Sequence, residues 1–280
     1  MSEQGIPPAQ FAIIGGSGTN AVNFPEDFIP DYPGLQVIKS NMVFSTPYGE
    51  SPPFKLFTTG DKDVLTVKMH GWRAGVTRAR ASQQVFWTLQ QSGVKKILVE
   101  GGVGAINHLL KPKDLLVPSD YLDFSLRKDV GLGGQYLLIM RDPVCPVMKG
   151  FLLQSMERNK SAGARIFDRG IYAVTDGRHF ESRAEIEMLK RAGADIVGQS
   201  MCPEVYLARE IGACYVRLDM VVNYAEGVVE DWKHDELKEI FYGEAQKIAK
   251  ILLDTLVLYK ESNKCSCAQL RKKTLLRNKE

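Results

Sequence analysis

The feature that most constrains this chain is an alternation. Short apolar runs end in glycines or in a polar cluster, and stretches with helical spacing lie between them. Residues 11–18 read FAIIGGSG, an apolar strand entering a glycine turn. Residues 43–49 and 53–59 alternate around Tyr48-Gly49-Glu50 and fit a hairpin or two short strands. DVLTVKM at 63–69 is another strand. Over residues 80–92, Val85, Phe86 and Leu89 recur at helical spacing. Residues 96–100 form a buried-type strand ending in Gly101-Gly102, and 114–118 a shorter one. Residues 126–142 are irregular and glycine-rich. The second half continues the pattern: helix 147–161, strand 169–175, helix 182–191 stopped by Gly193, strand 196–198, helix 202–211, strand 214–222 and helix 235–259.

Strands alternating with helices imply a mostly parallel or mixed sheet flanked by helices in one α/β domain. The domain is expected over residues 1–262. Residues 263–280 carry Lys264, Arg271, Lys272, Lys273, Arg277 and Lys279 and read as a solvated basic tail. A chain of 280 residues, 44% hydrophobic and 25% charged, can bury a large single core. The formal charge of +3, from 36 basic and 33 acidic residues, is too small to argue for nucleic acid. No run approaches about 18 apolar residues, so no membrane partner is expected. Five cysteines and a start without a charged-then-apolar leader suggest a reducing compartment, with the cytoplasm as the default.

Six constellations are able to carry chemistry, each at a predicted strand end, where open α/β sheets place their ligands. Gly15-Gly16-Ser17-Gly18 offers backbone N–H groups and a hydroxyl to an anion, or is a plain tight turn. Its spacing is not that of a dinucleotide fingerprint. His70-Gly71 suits an anion or a sugar hydroxyl, or a structural histidine. Glu100-Gly101-Gly102-Val103-Gly104 marks a close approach of the backbone to a ligand or to a neighbouring strand. Phe180-Glu181 pairs an aromatic wall with a carboxylate; alternatively Glu181 serves only a helix dipole. Gln199-Ser200 precedes Pro203, which suits the first turn of a helix, so Ser200 either holds an anion or caps that helix. Asn223, close to Ala225, has a carboxamide that both donates to and accepts from a heteroaromatic edge, or is a turn residue.

The series IIGGSG, HG, FESRAE, SMCPEVYLARE and VVNYAEG resembles the purine nucleoside and 5′-methylthioadenosine phosphorylases, from about Ala12 to about Leu258. The resemblance implies a single α/β domain with a distorted mixed sheet, assembled as a trimer or a dimer of trimers. It implies phosphorolysis of an N-ribosidic bond, with inorganic phosphate as co-substrate and neither metal nor organic cofactor. By position, Ser17, His70, Gly101, Gly102 and Ser200 would bind phosphate. Phe180 would pack on the purine, Glu181 and Asn223 would hold its edge, and Gln199 and Ala225 would line the nucleoside. His234 and Leu137 would flank the 5′ group. The Glu181/Asn223 pair is similar to the version that prefers 6-oxopurines. The loop, the HG motif and Cys265-Ser266-Cys267 are similar to the methylthioadenosine branch, in some of whose members such a tail forms disulfides; a reduced pair is the alternative here.

Three departures bear on the nucleophile. The family's arginine before HG is Met69, the donors after the buried strand are replaced by Glu100-Gly101-Gly102, and VTRARAS follows the HG segment. Arg73, Arg78 or Arg80 would have to supply the missing guanidinium. A carboxylate beside phosphate is unfavourable unless it is paired or turned away. Two other readings follow: a hydrolase with Glu100 as general base, and a nucleoside-binding protein without turnover.

Overall fold

The computed structural model describes residues 5–16, 18–69, 74–229, 235–262 and 264–274. Ser17, His70, Arg73 and His234 lie outside them. The first half contains β1 (Phe11–Gly15), β2 (Leu35–Met42), β3 (Ser45–Thr46), β4 (Gly49–Glu50), β5 (Phe54–Thr59), β6 (Lys62–Lys68), α1 (Arg78–Ser92), β7 (Lys96–Ala105), β8 (Leu115–Leu116), β9 (Asp120–Asp123) and β10 (Tyr136–Leu138). The second contains α2 (Pro146–Asn159), β11 (Ile166–Phe167), β12 (Ile171–Val174), α3 (Arg183–Arg191), β13 (Ile196–Gly198), α4 (Met201–Glu210), β14 (Cys214–Tyr224), α5 (Asp235–Leu258) and β15 (Arg271–Lys273).

The large sheet has the spine β11-β8-β14-β7-β1-β6-β5-β2, with β13, β12 and β9 branching from the upper part of β7. Its centre is parallel: β1 pairs with both β6 and β7, and β7 with β14. The flanks β5, β2 and β8 are antiparallel. Every residue of β1 is buried, as are all but the ends of β14, because helices cover both faces. The mixed α/β sheet therefore agrees with the sequence expectation.

Local chemistry explains the helix ends. In α1 the Thr77 hydroxyl accepts from Arg80 N–H at 3.3 Å, and Gly93 closes the helix at φ 84°. A reciprocal capping box of Ser182 and Glu185 starts α3. In α4, Cys202 departs from helical geometry (φ −105°, ψ 137°), so the regular turns begin at Pro203, as its residue type predicts.

Several expectations need correction. The strand expected to end at Gly101-Gly102 runs on to Ala105, so Gly101, Gly102 and Gly104 are part of β7 rather than following it. The reason is packing: a Cβ on Gly102 would lie 2.7 Å from the Phe241 ring of α5. The strands β2, β9 and β10 fall where no strand was expected. The segment after Ser262 is not wholly solvated, because β15 pairs with β10 and Ile139 N–H donates to Leu270 O at 2.9 Å. The side chains of Lys264, Lys272 and Lys273 are nonetheless exposed.

Candidate active site

The C-terminal ends of β7, β13 and β14 open into a cavity of about 520 Å³, within the range of roughly 300–1,000 Å³ usual for small-molecule sites. Phe180, Glu181, Gln199, Ser200, Asn223, Ala225 and Gly102 all line it, so four of the six scattered sequence motifs contribute to one cavity. Gly101 is buried and does not line it. Leu137 lies in β10, 67% exposed and away from the cavity of its own chain.

Each lining group is positioned by its backbone. The ladder between β7 and β14 shifts register between Val221 and Asn223, a bulge that re-aims the strand end. Asn223 is 6% exposed, and its Nδ2 donates to Tyr224 O at 2.8 Å. That nitrogen carries a second hydrogen for a ligand. Glu181 is 7% exposed and accepts from Thr175 Oγ1 at 2.6 Å. The segment leading to it is held by Arg127, which donates to Thr175 O at 2.7 Å and pairs with Asp176 at 3.3 Å. Gly177 (φ 80°) gives Gln199 its room, since a Cβ there would lie 2.0 Å from Gln199 Oε1.

Ser200 does not cap α4; its hydroxyl accepts from Arg217 Nη2 at 3.2 Å. Behind it stands a polar layer on one face of β14, where Tyr215, Arg217 and Asp219 alternate with apolar residues. Arg217 and Asp219, both fully buried, form a bidentate pair at 2.8 and 2.5 Å. Tyr172 lies under the guanidinium, with its ring centroid 4.8 Å away. Tyr215 donates to Glu204 at 3.3 Å. Burial pushes the Glu204 carboxyl up to about 7, against the pull of Arg217 and Arg78. Sequence reasoning missed this layer. Its signal was two charges at alternate positions of an otherwise apolar strand.

The donors of the glycine loop are taken by a carboxyl group of the chain itself. Glu100 is 2% exposed, and its Oε1 accepts from Gly16 N–H, from Thr19 N–H at 3.0 Å and from Thr19 Oγ1 at 2.8 Å. Gly18 N–H donates to Oε2 at 3.1 Å. A Cβ on Gly18 would lie 2.8 Å from that oxygen, so the loop closes on the carboxylate only with glycine there. Burial raises the Glu100 pKa, and the four donors oppose the rise. The carboxylate faces the loop and is not among the lining groups of the cavity, whereas Asn20 and Ala21, just beyond the loop, are.

Of the three arginines weighed from sequence, Arg78 lines the cavity. Burial first, and then Arg127, lowers its pKa. Arg80 lies 5.9 Å above the Tyr48 ring and outside this cavity. Among the described lining residues the cations are Arg78 and Lys238, and the carboxylates are Glu181 and Glu226. The first turns of α5 add Leu237, Phe241 and Tyr242. Sequence reasoning overlooked these three, although the four-residue spacing of Leu237 and Phe241 marks one helix face.

Comparison with known proteins agrees with this architecture. Residues 10–257 match the model of the phosphorylase superfamily. The chain is 28% identical over 270 residues to the 6-oxopurine nucleoside phosphorylase of Pyrococcus furiosus, covering 92% of this chain and 96% of that protein. It is 27% identical over 268 residues to the S-methyl-5′-thioadenosine phosphorylase of Pyrococcus abyssi, covering 94% and 98%. In structure it is similar to a methylthioadenosine phosphorylase from an antarctic soil metagenomic library, with a TM-score of 0.77, 23% identity, and 94% and 91% of the two chains covered. The strand-end cavity, the sheet that builds it and the match over nearly the whole length lead to one statement: the chain belongs to the phosphorylase superfamily.

Proposed function

We propose that the protein cleaves the N-ribosidic bond of a purine nucleoside by phosphorolysis, with a 5′-methylthio nucleoside of 6-oxopurine type as its preferred substrate. The observation that carries this reading is the meeting of Phe180, Glu181 and Asn223 on one cavity wall. Phe180 offers a face for the base. Glu181 accepts the N1–H that a 6-oxopurine has and adenine lacks. Asn223 donates toward N7 as the C1′–N9 bond breaks and negative charge develops on the purine. Phosphate oxygen forms the new bond to C1′, and the purine leaves with a proton. Ser200, the Gly102 backbone and the Arg78 guanidinium are the groups we assign to phosphate, in place of the guanidinium lost at Met69. Ser17 and His70 remain phosphate ligands by resemblance, and His234 a 5′ contact. Leu237, Phe241 and Tyr242 form an apolar wall suited to a thioether rather than a hydroxyl.

One observation favours a second reading, hydrolysis: the loop donors expected to hold phosphate are taken by Glu100. Glu100 is ill placed as its base, because the carboxylate is enclosed by the loop. The deciding experiment incubates inosine, guanosine, adenosine, methylthioadenosine and methylthioinosine with and without phosphate and separates the products. Phosphate-dependent release of base and of ribose 1-phosphate, or methylthioribose 1-phosphate from the methylthio nucleosides, fastest with methylthioinosine, is the expected result. Free sugar formed without phosphate establishes the hydrolase, and an absence of turnover in both conditions removes the enzymatic reading.

A further inference from the structure

Four of the five cysteines converge at the end of the sheet remote from the cavity. The Sγ atoms of Cys145, Cys214, Cys265 and Cys267 all lie within 4.8 Å of one another. They come from three separate stretches of chain: Cys145 from the residue before α2, Cys214 from the first residue of β14, and the other two from the C-terminal segment. Cys145 and Cys267 are buried, and Cys214 and Cys265 are half-buried. None is in a disulfide, and Cys214 and Cys265 stand 3.5 Å apart, sulfur to sulfur. Nine residues of strand separate Cys214 from Asn223, about 30 Å at the usual rise.

We propose that these four cysteines form a tetrathiolate site for a divalent zinc ion that staples the C-terminal segment to the sheet. The geometry is that of a closed structural site. Zinc–sulfur bonds of about 2.3 Å in a tetrahedron put the sulfurs about 3.8 Å apart. The observed spacings bracket that edge, so binding needs only a small contraction. Four sulfurs and no carboxylate or imidazole in the set select a soft, tetrahedral metal. The surroundings suit thiolates as well. Cys145 precedes the N-terminus of α2, and the Val147 and Met148 N–H groups hydrogen-bond its sulfur. Cys145 N–H donates to Tyr215 O at 2.8 Å and Cys214 N–H to Lys95 O at 2.8 Å, which fixes both backbones. Arg209 donates to Cys267 O at 3.3 Å, so the tail approaches the cluster on a charged donor. Loading converts four thiols to thiolates and releases up to four protons for each ion bound.

The site explains why a basic tail docks at all. Residues 264–274 carry few apolar side chains, and beyond the short β10–β15 pairing they are joined to the domain by a few hydrogen bonds and the buried Leu270. A metal bound jointly by α2, β14 and the tail supplies the missing cohesion.

The test uses the full chain, produced with zinc in the medium and purified under reducing conditions without chelator. Elemental analysis is expected to find a single zinc ion per chain. Replacement by cobalt is expected to give the intense thiolate-to-metal charge-transfer and tetrahedral ligand-field bands of a sulfur-only site. Cys267→Ser and Cys145→Ser should each lower the zinc content at least tenfold, while Cys202→Ser, outside the cluster, should not. Should the core variants fail to fold, the half-exposed Cys265→Ser and the cobalt spectrum of the unaltered protein still decide. Zinc-loaded protein treated with chelator should melt lower and lose its tail to limited proteolysis. The proposal is overturned by protein that stays metal-free after zinc incubation with all five thiols reactive. A mass deficit of four hydrogens, the mark of two disulfides, overturns it equally.

Discussion

If Glu100 is the anion of its own glycine loop, its removal should create an anion site and destabilise the empty protein. Glu100→Gln is the isosteric test. Three of the four donors converge on Oε1, and a carboxamide oxygen placed there still accepts from all three. The amide nitrogen must then face Gly18 N–H, 3.1 Å away in the parent, donor against donor. Losing one charge-assisted bond costs roughly 1.5–3 kcal/mol, and the other three weaken without the charge. We expect a loss of about 2–4 kcal/mol. Glu100→Ala leaves all four donors without their acceptor, at roughly 1–3 kcal/mol each, less what entering water returns.

Inorganic phosphate separates a filled cradle from a merely buried carboxylate. In Glu100→Ala the loop is open to phosphate, and an ion at a hundred times its dissociation constant stabilises by about 2.7 kcal/mol. At roughly 2–4 °C per kcal/mol for a large domain, the melting temperature should rise by several degrees with phosphate and not with chloride at equal ionic strength. The parent loop is already satisfied, so its response should be smaller. Steady-state kinetics then report whether the KM for phosphate falls in Glu100→Ala. A variant as stable as the parent, with the same response to phosphate, would refute the assignment of Glu100 as the loop's internal anion.

Three further outcomes follow from the same geometry. Asn223→Ala should lower kcat by about 10²-fold or more, because a donor aimed at the developing purine charge acts mainly in the transition state; an unchanged rate would remove Asn223 from the mechanism. Arg78→Met should raise the KM for phosphate by about tenfold or more while the nucleoside KM moves little, as expected for one guanidinium–anion contact of roughly 1.5–3 kcal/mol; equal changes in both would place Arg78 elsewhere. The Glu204 carboxyl, held up at about 7 by burial against a usual 4.5, keeps its proton in the folded state when the unfolded chain has lost it. Its contribution is therefore full below pH 4.5, lost as the pH rises to about 7 and flat beyond, a loss of roughly 3 kcal/mol at most. Urea titrations of Glu204→Gln at pH 5 and pH 8 should show that slope flattened, and an unaltered slope would assign it to another group.

The central strands were legible because their signal is local. FAIIG is apolar over its whole length, and CYVRLDMVV is apolar but for the mutually paired Arg217 and Asp219, as burial on both faces requires; each ends near its predicted residue. The flanking strands were not. LQVIKSNM alternates poorly because β2 is an edge strand whose middle faces solvent, and β10 and β15 exist only as partners of one another. The glycines of β7 marked a close approach but not its partner, because what Gly102 accommodates, the Phe241 ring, lies far along the chain. Among cavity-lining residues, Phe180, Glu181, Ser200 and Asn223 were singled out through motifs that the fold then gathered. The hydrogen bonds of Glu100 reach back 81–84 residues to the loop. Its composition hinted at conflict, but its resolution was a tertiary contact.

The register of the two central strands shows how charge is arranged below the cavity floor. Glu100 lies opposite Leu218, and Arg217 opposite Val99. Side chains alternate along each strand, so Glu100 and Arg217 project from opposite faces of the same pair. On one face the loop donors hold a carboxyl group turned away from the cavity. On the other, Arg217 is neutralised by Asp219 and lends one N–H to Ser200. Neither face offers the ligand an unpaired cation, and Glu204 near its own pKa adds only a fraction of a negative charge. The positive charge that the described cavity lining offers to a phosphate dianion thus comes from Arg78 and Lys238. A family site that lost its guanidinium at Met69 would keep phosphate under this arrangement by recruiting charge from the cavity wall, while the old loop became part of the core. Phosphate affinity in this protein should therefore follow substitutions at Arg78 and Ser200 more steeply than conservative changes at Thr19, whose groups now serve Glu100.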